Sequence, residues 1–403
     1  MFWKKSARVS TDQKTIDHIL GRAVASVIPR DLAQKKLASG ERLRVYLGID
    51  PTGAKLHLGH SVPLRKLKAL SEAGHQVIFL VGSFTAMIGD PTGRDTAREP
   101  LTTAQVEENF QTYKKQAQKI LDFSKVEVRY NAEWLAPLTL EGLVKIASNF
   151  TVGQMIEREM FDRRLKEGKP ISLHEFLYPL MVGYDSVMLD VDCELGGSDQ
   201  EFNMLAGRTL QKAFGKREKF VLTTRLIEGT DGRKMSKTYD NCVYIEDSPT
   251  DMYGKLMSIH DNLIAEYFEC ATEVPMDEVT KISSALTDGS LHPKDAKMRL
   301  AKEIVSLYHG KSLADKAEAN FVSTFSKGEV PKDVSEIHIQ DSLKISDLVE
   351  AKIISSNTEA RRLLEDGAIR IAGTDEKITD LATVSNGTTL RVGKHRFVKI
   401  VSK

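Results

Sequence analysis

The sequence predicts a doubly wound α/β domain, then an α-helical domain, then a small α+β module, and three observations carry that prediction. The first is an apolar run with strand character, Val45-Tyr46-Leu47-Gly48-Ile49, which meets a Pro/Gly turn and a helix start. A second, near-continuous apolar run, Gln76-Val77-Ile78-Phe79-Leu80-Val81, follows that helix. Strands buried on both faces of a parallel sheet look like this, and strand, helix, strand is the unit of a Rossmann-like fold whose ligand crevice lies at the carboxyl ends of the strands. The other two observations are helical periodicity with little strand signal from residue 246 to 326, and short alternating strands in the tail. The expected organisation is 1–245 for the Rossmann-like parallel-sheet domain with N-terminal helices, 246–326 for the helical domain, 327–342 for a linker and 343–403 for the α+β module.

The composition fits this plan and narrows the function classes. A chain of 403 residues with 41% hydrophobic and 28% charged residues has ample material for two or three cores. A net charge of +1 leaves a nucleic-acid partner to be decided by local patches. Cys193, Cys242 and Cys270 are too far apart for a Cys-x-x-Cys metal or redox site, and an odd, sparse set suits reduced thiols. No apolar run is long enough to span a bilayer. Met1-Phe2-Trp3-Lys4-Lys5 lacks the apolar stretch of a secretory signal, so a cytoplasmic protein is expected, with no membrane partner.

Taken in order, residues 11 to 40 read as helices, with Ile16, Ile19 and Leu20 on one face, then Val24, Val27 and Ile28, interrupted by Pro29. After the first strand, Asp50-Pro51-Thr52-Gly53 turns the chain into His57-Leu58-Gly59-His60 at a helix start. Helix-start amides and the positive end of the helix dipole attract anions, and residues three apart share a face, so both imidazoles can address one phosphate. By itself such a pair is as readily a surface pair or half of a metal site. A matching basic loop, Lys234-Met235-Ser236-Lys237-Thr238, turns it into a phosphate-handling layout. Lysines in such a loop are usually a solvated surface; here they are placed to close on polyphosphate as a mobile clamp.

The loop from Gly82 to Gly93 leaves the second strand at its crevice end and carries Asp90, either a turn-former before Pro91 or an acceptor for a ligand ammonium. Polar helices follow from Thr102 to Leu121 and within Leu138 to Asn149. The apolar helix Ser172 to Asp185 then puts Tyr178 and Asp185 two turns apart on one side. Each alone reads as a satisfied core residue; together they call for a polar ligand. Gly196-Gly197-Ser198-Asp199-Gln200 is a Gly-rich turn where backbone can approach a ligand and Asp199 can meet ribose hydroxyls. Phe220-Val221-Leu222-Thr223 is a further strand. In the tail, Ser356-Asn357-Thr358-Glu359 forms a capping box, Gly367 stops that helix, and 369–371, 389–392 and 396–401 are short strands. Arg361, Arg362, Arg370, Lys394, His395 and Arg396 gather around its helix and turns, either as an ordinary solvated face or, the favoured reading, as phosphate-reaching cations.

The pair His57-Leu58-Gly59-His60 and Lys234-Met235-Ser236-Lys237-Thr238 resembles the HIGH and KMSKS signatures of class I aminoacyl-tRNA synthetases. With Tyr46 to Thr52, Ile88 to Pro91, Tyr178 to Asp185 and Gly196 to Gln200, the chain resembles the bacterial-type tyrosyl-tRNA synthetases over nearly its whole length, and its tail resembles an RNA-binding domain shared with a small-ribosomal-subunit protein. The resemblance implies activation of L-tyrosine by ATP, with Mg²⁺, to tyrosyl-adenylate and pyrophosphate. Transfer to the 3' end of tRNA(Tyr) by a homodimer follows. It assigns catalysis to Thr52, His57, His60, Lys234 and Lys237, and the nucleotide and adenylate site to Gly48, Asp50, Gly197, Asp199 and Gln200 with those histidines and lysines. Tyr46 and Asp185 would bind the substrate phenol, Asp90 and Tyr178 its ammonium, and Gln200 would line the same pocket. The tail cations Arg361, Arg362, Arg370, Lys394 and Arg396 would meet tRNA. No protein-held metal is implied. Leu58 and Thr238 are conservative departures, but Val182 stands where the family usually carries glutamine, which implies weaker tyrosine binding or an altered pocket. A nucleotidyltransferase acting without RNA, a tryptophan-specific relative and a non-enzymatic RNA-binding paralogue remain as alternatives, set against the KMSKS-like loop and the tail, against Tyr46 and Asp185, and against the intact histidines and lysines respectively.

Overall fold

The computed structural model describes residues 9–53, 55–90, 101–236, 239–326, 334–339, 342–354, 356–374, 376–393 and 396–402. Lys237, Thr238, Lys394, His395 and the segment from Pro91 to Gly93 lie outside them. Two compact units divide the chain: Met1–Gly229 with Arg233–Glu246 and Glu266–Asp277, and Thr230–Gly232 with Asp247–Ala265 and Glu278–Lys403.

The first unit is built on a six-stranded sheet of β1 (Val24–Ile28), β2 (Arg44–Ile49), β3 (Gln76–Val81), β4 (Val126–Tyr130), β5 (Cys193–Gly197) and β6 (Phe220–Thr224), in the order β1-β6-β5-β2-β3-β4. All neighbours are parallel except β1, which runs antiparallel to β6 at the edge. The order reverses direction between β2 and β5, the switch point where a crevice opens at the carboxyl ends of the strands. Val45, Leu47, Ile78, Phe79 and Leu222 are buried, as the apolar runs require.

Several elements differ from the expectation. Residues 24 to 28, read as helix, form strand β1, because Val24, Val27 and Ile28 are β-branched and find an open partner in β6. Strand β4, whose Val126, Val128 and Tyr130 alternate, was not anticipated. The turn expected at Gly196-Gly197 is the last stretch of β5, and only Ser198–Gln200 turns, as a 3-10 helix. The boundary near residue 245 is crossed in both directions, by Glu266–Asp277, which belongs to the first unit, and by Thr230–Gly232, which belongs to the second; Glu266–Asp277 is the longer crossing. There the Arg22 guanidinium donates to the carbonyls of Phe268, Glu269, Thr272 and Val274, satisfying orphan groups at a helix C-terminus.

In the second unit, helices Pro249–Met257, Pro293–His309 and Lys311–Ser326 pack together, with the rings of Tyr253 and Phe321 5.5 Å apart and the Tyr253 hydroxyl on the Met298 carbonyl. The tail forms a four-stranded sheet of β7 (Ser335–Ile339), β8 (Ile369–Ile371), β9 (Thr389–Val392) and β10 (Arg396–Ser402), in the order β7-β10-β9-β8. Helix Asn357–Glu365, capped by the Ser356 hydroxyl on Glu359 N, covers a core of Leu348, Leu363, Ile369, Leu390, Val398 and Ile400. The stretch 327–342, expected as linker, thus carries β7, which pairs in parallel with β10 and buries Ile337 and Ile339.

Candidate active site

A cleft at the carboxyl ends of β2 and β5 gathers Tyr46, Gly48, Asp50, Tyr178, Val182, Asp185 and Gln200 with Thr85, Asn131, Glu194 and Asn203. Tyr46 and Asp50 come from β2 and the turn after it. Tyr178, Val182 and Asp185 come from helix Leu173–Leu189, whose Gly183 lets the backbone of helix Glu201–Ala213 approach. A β-carbon on Gly183 would lie 3.0 Å from the Ala206 carbonyl carbon. Gly82 is equally constrained, because a β-carbon there would sit 1.9 Å from Asp50 Oδ1.

The polar groups are held by one another. Asp50 accepts from the Tyr178 hydroxyl at 2.8 Å and from the Thr85 hydroxyl at 2.7 Å. Asp90 Oδ2 accepts from Gln200 Nε2 at 2.8 Å, and Gln200 Oε1 accepts from Asn203 Nδ2 at 2.8 Å. Asp185, 3% exposed, accepts from Trp134 Nε1 at 2.7 Å on one oxygen and from Asn131 Nδ2 at 3.2 Å on the other. Burial pushes its carboxyl well above the usual range, against the pull of those two donors and helped by the nearby Glu194 and Asp50 carboxylates. Burial likewise raises the Tyr178 hydroxyl, with Asp50 and Asp90 adding to it, and raises the Tyr46 hydroxyl beside Glu194. Phenols that stay protonated here are hydrogen-bond groups, not bases.

Beyond the cleft, His57 is the N-cap of helix Leu58–Glu72, and the His57 and His60 rings lie 3.8 Å apart, with His60 Nδ1 accepting from His57 N. The two imidazoles therefore share the helix start, as their spacing requires. The chain around 243–245 pairs with that start: Leu58 N donates to the Val243 carbonyl and Ile245 N to the Leu56 carbonyl. A β-carbon on Gly59 would stand 3.8 Å from Met235 Sδ, so the basic loop lies against the histidine turn. Buried Asn241 pins that loop, donating to the carbonyls of Arg233 and Lys234 and accepting from Ser236 N. Lys234 is largely exposed and pairs with Asp199 at 3.0 Å. Thr52 enters as a tight turn, its N–H on the Asp50 carbonyl at 2.7 Å.

Several residues of consequence escaped the sequence reading, the buried Ser186 of helix Leu173–Leu189 among them. Asn131 and Trp134 follow β4, whose alternation was the available signal; Lys219 immediately precedes β6, whose residues read as core, and Glu194 lies within β5, whose end read as a turn. Lys219 is wholly buried and pairs with Glu194. In the tail module, Arg361 and Arg362 are exposed. Arg370 donates Nε to the Gly367 carbonyl, and Arg396 donates to the Ile353 carbonyl and pairs with Glu359, both at 2.7 Å. Arg396 is thus engaged inside the module. Among the described residues, no group of three or more His, Cys, Asp or Glu could hold a metal ion, and no helix is long and apolar enough to cross a membrane.

This geometry has company among known proteins. The family described as tRNA synthetases class I (W and Y) matches residues 38–326. The tyrosine–tRNA ligase of Carboxydothermus hydrogenoformans is 45% identical over 399 residues, covering 95% of this chain and 97% of its own. That of Photobacterium profundum is 42% identical over 384 residues, with 95% and 97% covered. Among solved structures, a C-terminally truncated mitochondrial tyrosyl-tRNA synthetase of Aspergillus nidulans superposes with a TM-score of 0.65 at 25% identity, over 78% of this chain and 95% of that one. The corresponding Coccidioides posadasii protein gives 0.61 at 26%, over 76% and 92%.

Proposed function

The chain belongs to the class I tRNA synthetases of the W and Y branch, and from that premise we propose that it is a tyrosine–tRNA ligase. It activates L-tyrosine with ATP to tyrosyl-adenylate and pyrophosphate, then transfers the tyrosyl group to the 3' end of tRNA(Tyr). The observation that carries the tyrosine assignment is the cleft itself: a buried phenol and a buried carboxylate, Tyr46 and Asp185, at one end, and the Asp50, Tyr178, Asp90 and Gln200 network at the other. An aromatic amino acid with a polar para substituent fits between them, its hydroxyl toward Tyr46 and Asp185 and its ammonium toward the carboxylates.

The tyrosine carboxylate attacks the α-phosphate of ATP, and no protein nucleophile is needed. Catalysis lies in positioning and in neutralising charge on the departing pyrophosphate. That role falls to the closely apposed His57 and His60 at a helix N-terminus, Thr52 in the turn before them, and Lys234 and Lys237 of the basic loop. Gly48, Asp50, Gly197 and Asp199 line the nucleotide and adenylate side. Mg²⁺, when bound with ATP, would supply neutralisation of phosphate charge. Arg361 and Arg362, with Arg370 and Lys394, are assigned to the tRNA backbone, whereas Arg396 props the module from within.

Exposed Leu140, Val144, Val152, Leu165 and Leu173, all within one stretch of the chain, support a homodimer. The three buried free cysteines suit a reducing cytoplasm. ATP–pyrophosphate exchange with each amino acid in turn tests the proposal: exchange dependent on tyrosine, followed by charging of tRNA, is expected, and an enzyme inert toward tyrosine overturns it.

A further inference from the structure

Behind the ammonium end of the cleft stands a buried amide whose hydrogen bond goes to another amide. Gln200 closes the 3-10 turn Ser198–Gln200 and is the N-cap of helix Glu201–Ala213, and Asn203 follows three residues later on the same helical face. Asn203 is 0% exposed and lines the cleft with Gln200, Tyr178 and Val182. Its Nδ2 donates to Gln200 Oε1 at 2.8 Å, and Gln200 Nε2 donates to Asp90 Oδ2 at 2.8 Å. Gly196 leaves room for this turn, since a β-carbon there would lie 2.9 Å from Met204 Sδ and 3.6 Å from Gln200 Cβ.

A carboxamide offers N–H on one side and a carbonyl oxygen on the other, and beside a carboxylate the two are not interchangeable. With Asn203 donating to its oxygen, Gln200 turns its N–H groups to Asp90. The opposite rotamer would set Gln200 Oε1 against the Asp90 carboxylate and Gln200 Nε2 against Asn203 Nδ2, two mismatched pairs. Without Asn203 one end of Gln200 would be untethered, and the side chain would regain rotamer freedom. Packing does not explain the choice of residue. Among the described residues Asn203 Oδ1 is buried with no hydrogen-bond partner, and leucine would fill the same space without that cost. Val182, on helix Leu173–Leu189, adds no polar atom to this end of the cleft.

We propose that Asn203 is a positioning residue for amino-acid recognition: it orients the Gln200 amide, which in turn holds Asp90 in place for the ammonium of the substrate. This rests on the tyrosine reading. Asn203 is wholly buried and acts through Gln200, so its contribution reaches the ligand only by way of the Asp90 carboxylate. The consequence is selective. A ligand that carries a phenol and an ammonium feels a displaced Asp90, whereas one that carries a phenol and a carboxylate but no ammonium does not.

The test is inhibition of tyrosine-dependent ATP–pyrophosphate exchange on the full-length enzyme by two ligands. Tyramine keeps the phenol and the ammonium; 3-(4-hydroxyphenyl)propanoate keeps the phenol and the carboxylate. In Asn203→Leu we expect the inhibition constant of tyramine to rise at least about fivefold and that of the propanoate to change by less than about twofold, with the KM for tyrosine rising alongside tyramine. Asn203→Ala, which removes the same donor without filling the space, must give the same pattern, and thermal melting checks the fold of both variants. In a Gln200→Leu background the further change Asn203→Leu should leave tyramine where it was, because the two residues act in series. Equal weakening of both inhibitors, no weakening of either, additive losses in the double variant, or loss of fold in both single variants overturns the inference and leaves the function standing. Inactivity of the unaltered enzyme toward tyrosine overturns the function itself.

Discussion

The hydroxyl of Tyr178 donates to Asp50 Oδ2 at 2.8 Å, joining the helix that carries Asp185 to the turn that leads to the paired histidines. In the proposed function this one carboxylate spans the amino-acid and nucleotide sides of the cleft. Asp50→Asn keeps the shape and removes an acceptor, so tyrosine-dependent exchange should fall in kcat/KM by about 10- to 100-fold, the cost of a broken charged hydrogen bond. Steady-state kinetics beside an unchanged thermal melting curve checks it; loss of fold without selective loss of rate would contradict it.

Val182 lines the cleft between Tyr178 and Asp185 and offers no polar atom. Val182→Gln should lower the KM for tyrosine by about two- to tenfold, the worth of one added hydrogen bond, with kcat little changed. A wild-type KM unaltered by the substitution would show that Gln200 and Asp90, bonded at 2.8 Å, already hold the ammonium without help.

In the proposed mechanism His57 and His60 act on charge that grows only in the transition state. His57→Ala or His60→Ala is expected to cost about 3 kcal/mol in kcat, with the KM for tyrosine nearly unchanged, as for other preorganised donors. Pre-steady-state formation of enzyme-bound adenylate separates this from slow product release.

Arg164 and Glu175 form a buried bidentate pair at 2.6 and 3.1 Å beneath the start of the helix that supplies Tyr178. Burial pushes the Glu175 carboxyl up, but Arg164 and the Ser172 N–H outweigh it and hold it below its ordinary value. A depressed acid stabilises the fold above its unfolded pKa, and that stability is lost as pH falls through the folded value. Urea melts should thus show stability declining on acidification below about pH 4.5. Arg164→Met should cost about 3 kcal/mol at neutral pH by stranding a buried carboxylate, and should flatten the acid dependence.

Arg361 and Arg362 are solvent-exposed on the tail helix. Replacing both by alanine should weaken tRNA binding and reduce the slope of log affinity against log salt by about one to two, while leaving pyrophosphate exchange untouched. Filter binding over a salt series reads the slope; altered exchange would give the pair another role.

Much of this was legible from the chain. Buried parallel strands announce themselves as apolar runs, which is why β2, β3 and β6 stand where expected, and helix-start chemistry located His57 and His60. What hid was decided by tertiary pairing. Val24 to Ile28 could extend either helix or strand until β6 offered an edge, and β7 is too polar to read as a strand without β10 beside it. In the site, residues with motif partners were visible. Lys219, Ser186 and Asn131 were not, since a buried lysine or serine among core residues carries no periodic mark, and its meaning comes from neighbours far along the sequence.

The parallel pairing of β7 with β10 has a practical reach. A tail fragment cut at residue 343 would shed an edge strand together with Ile337 and Ile339, and expose the backbone of β10 to association with itself. Any fragment intended to behave as a free-standing binder must begin upstream of Ser335, so the chain that leads into the tail is also its seam.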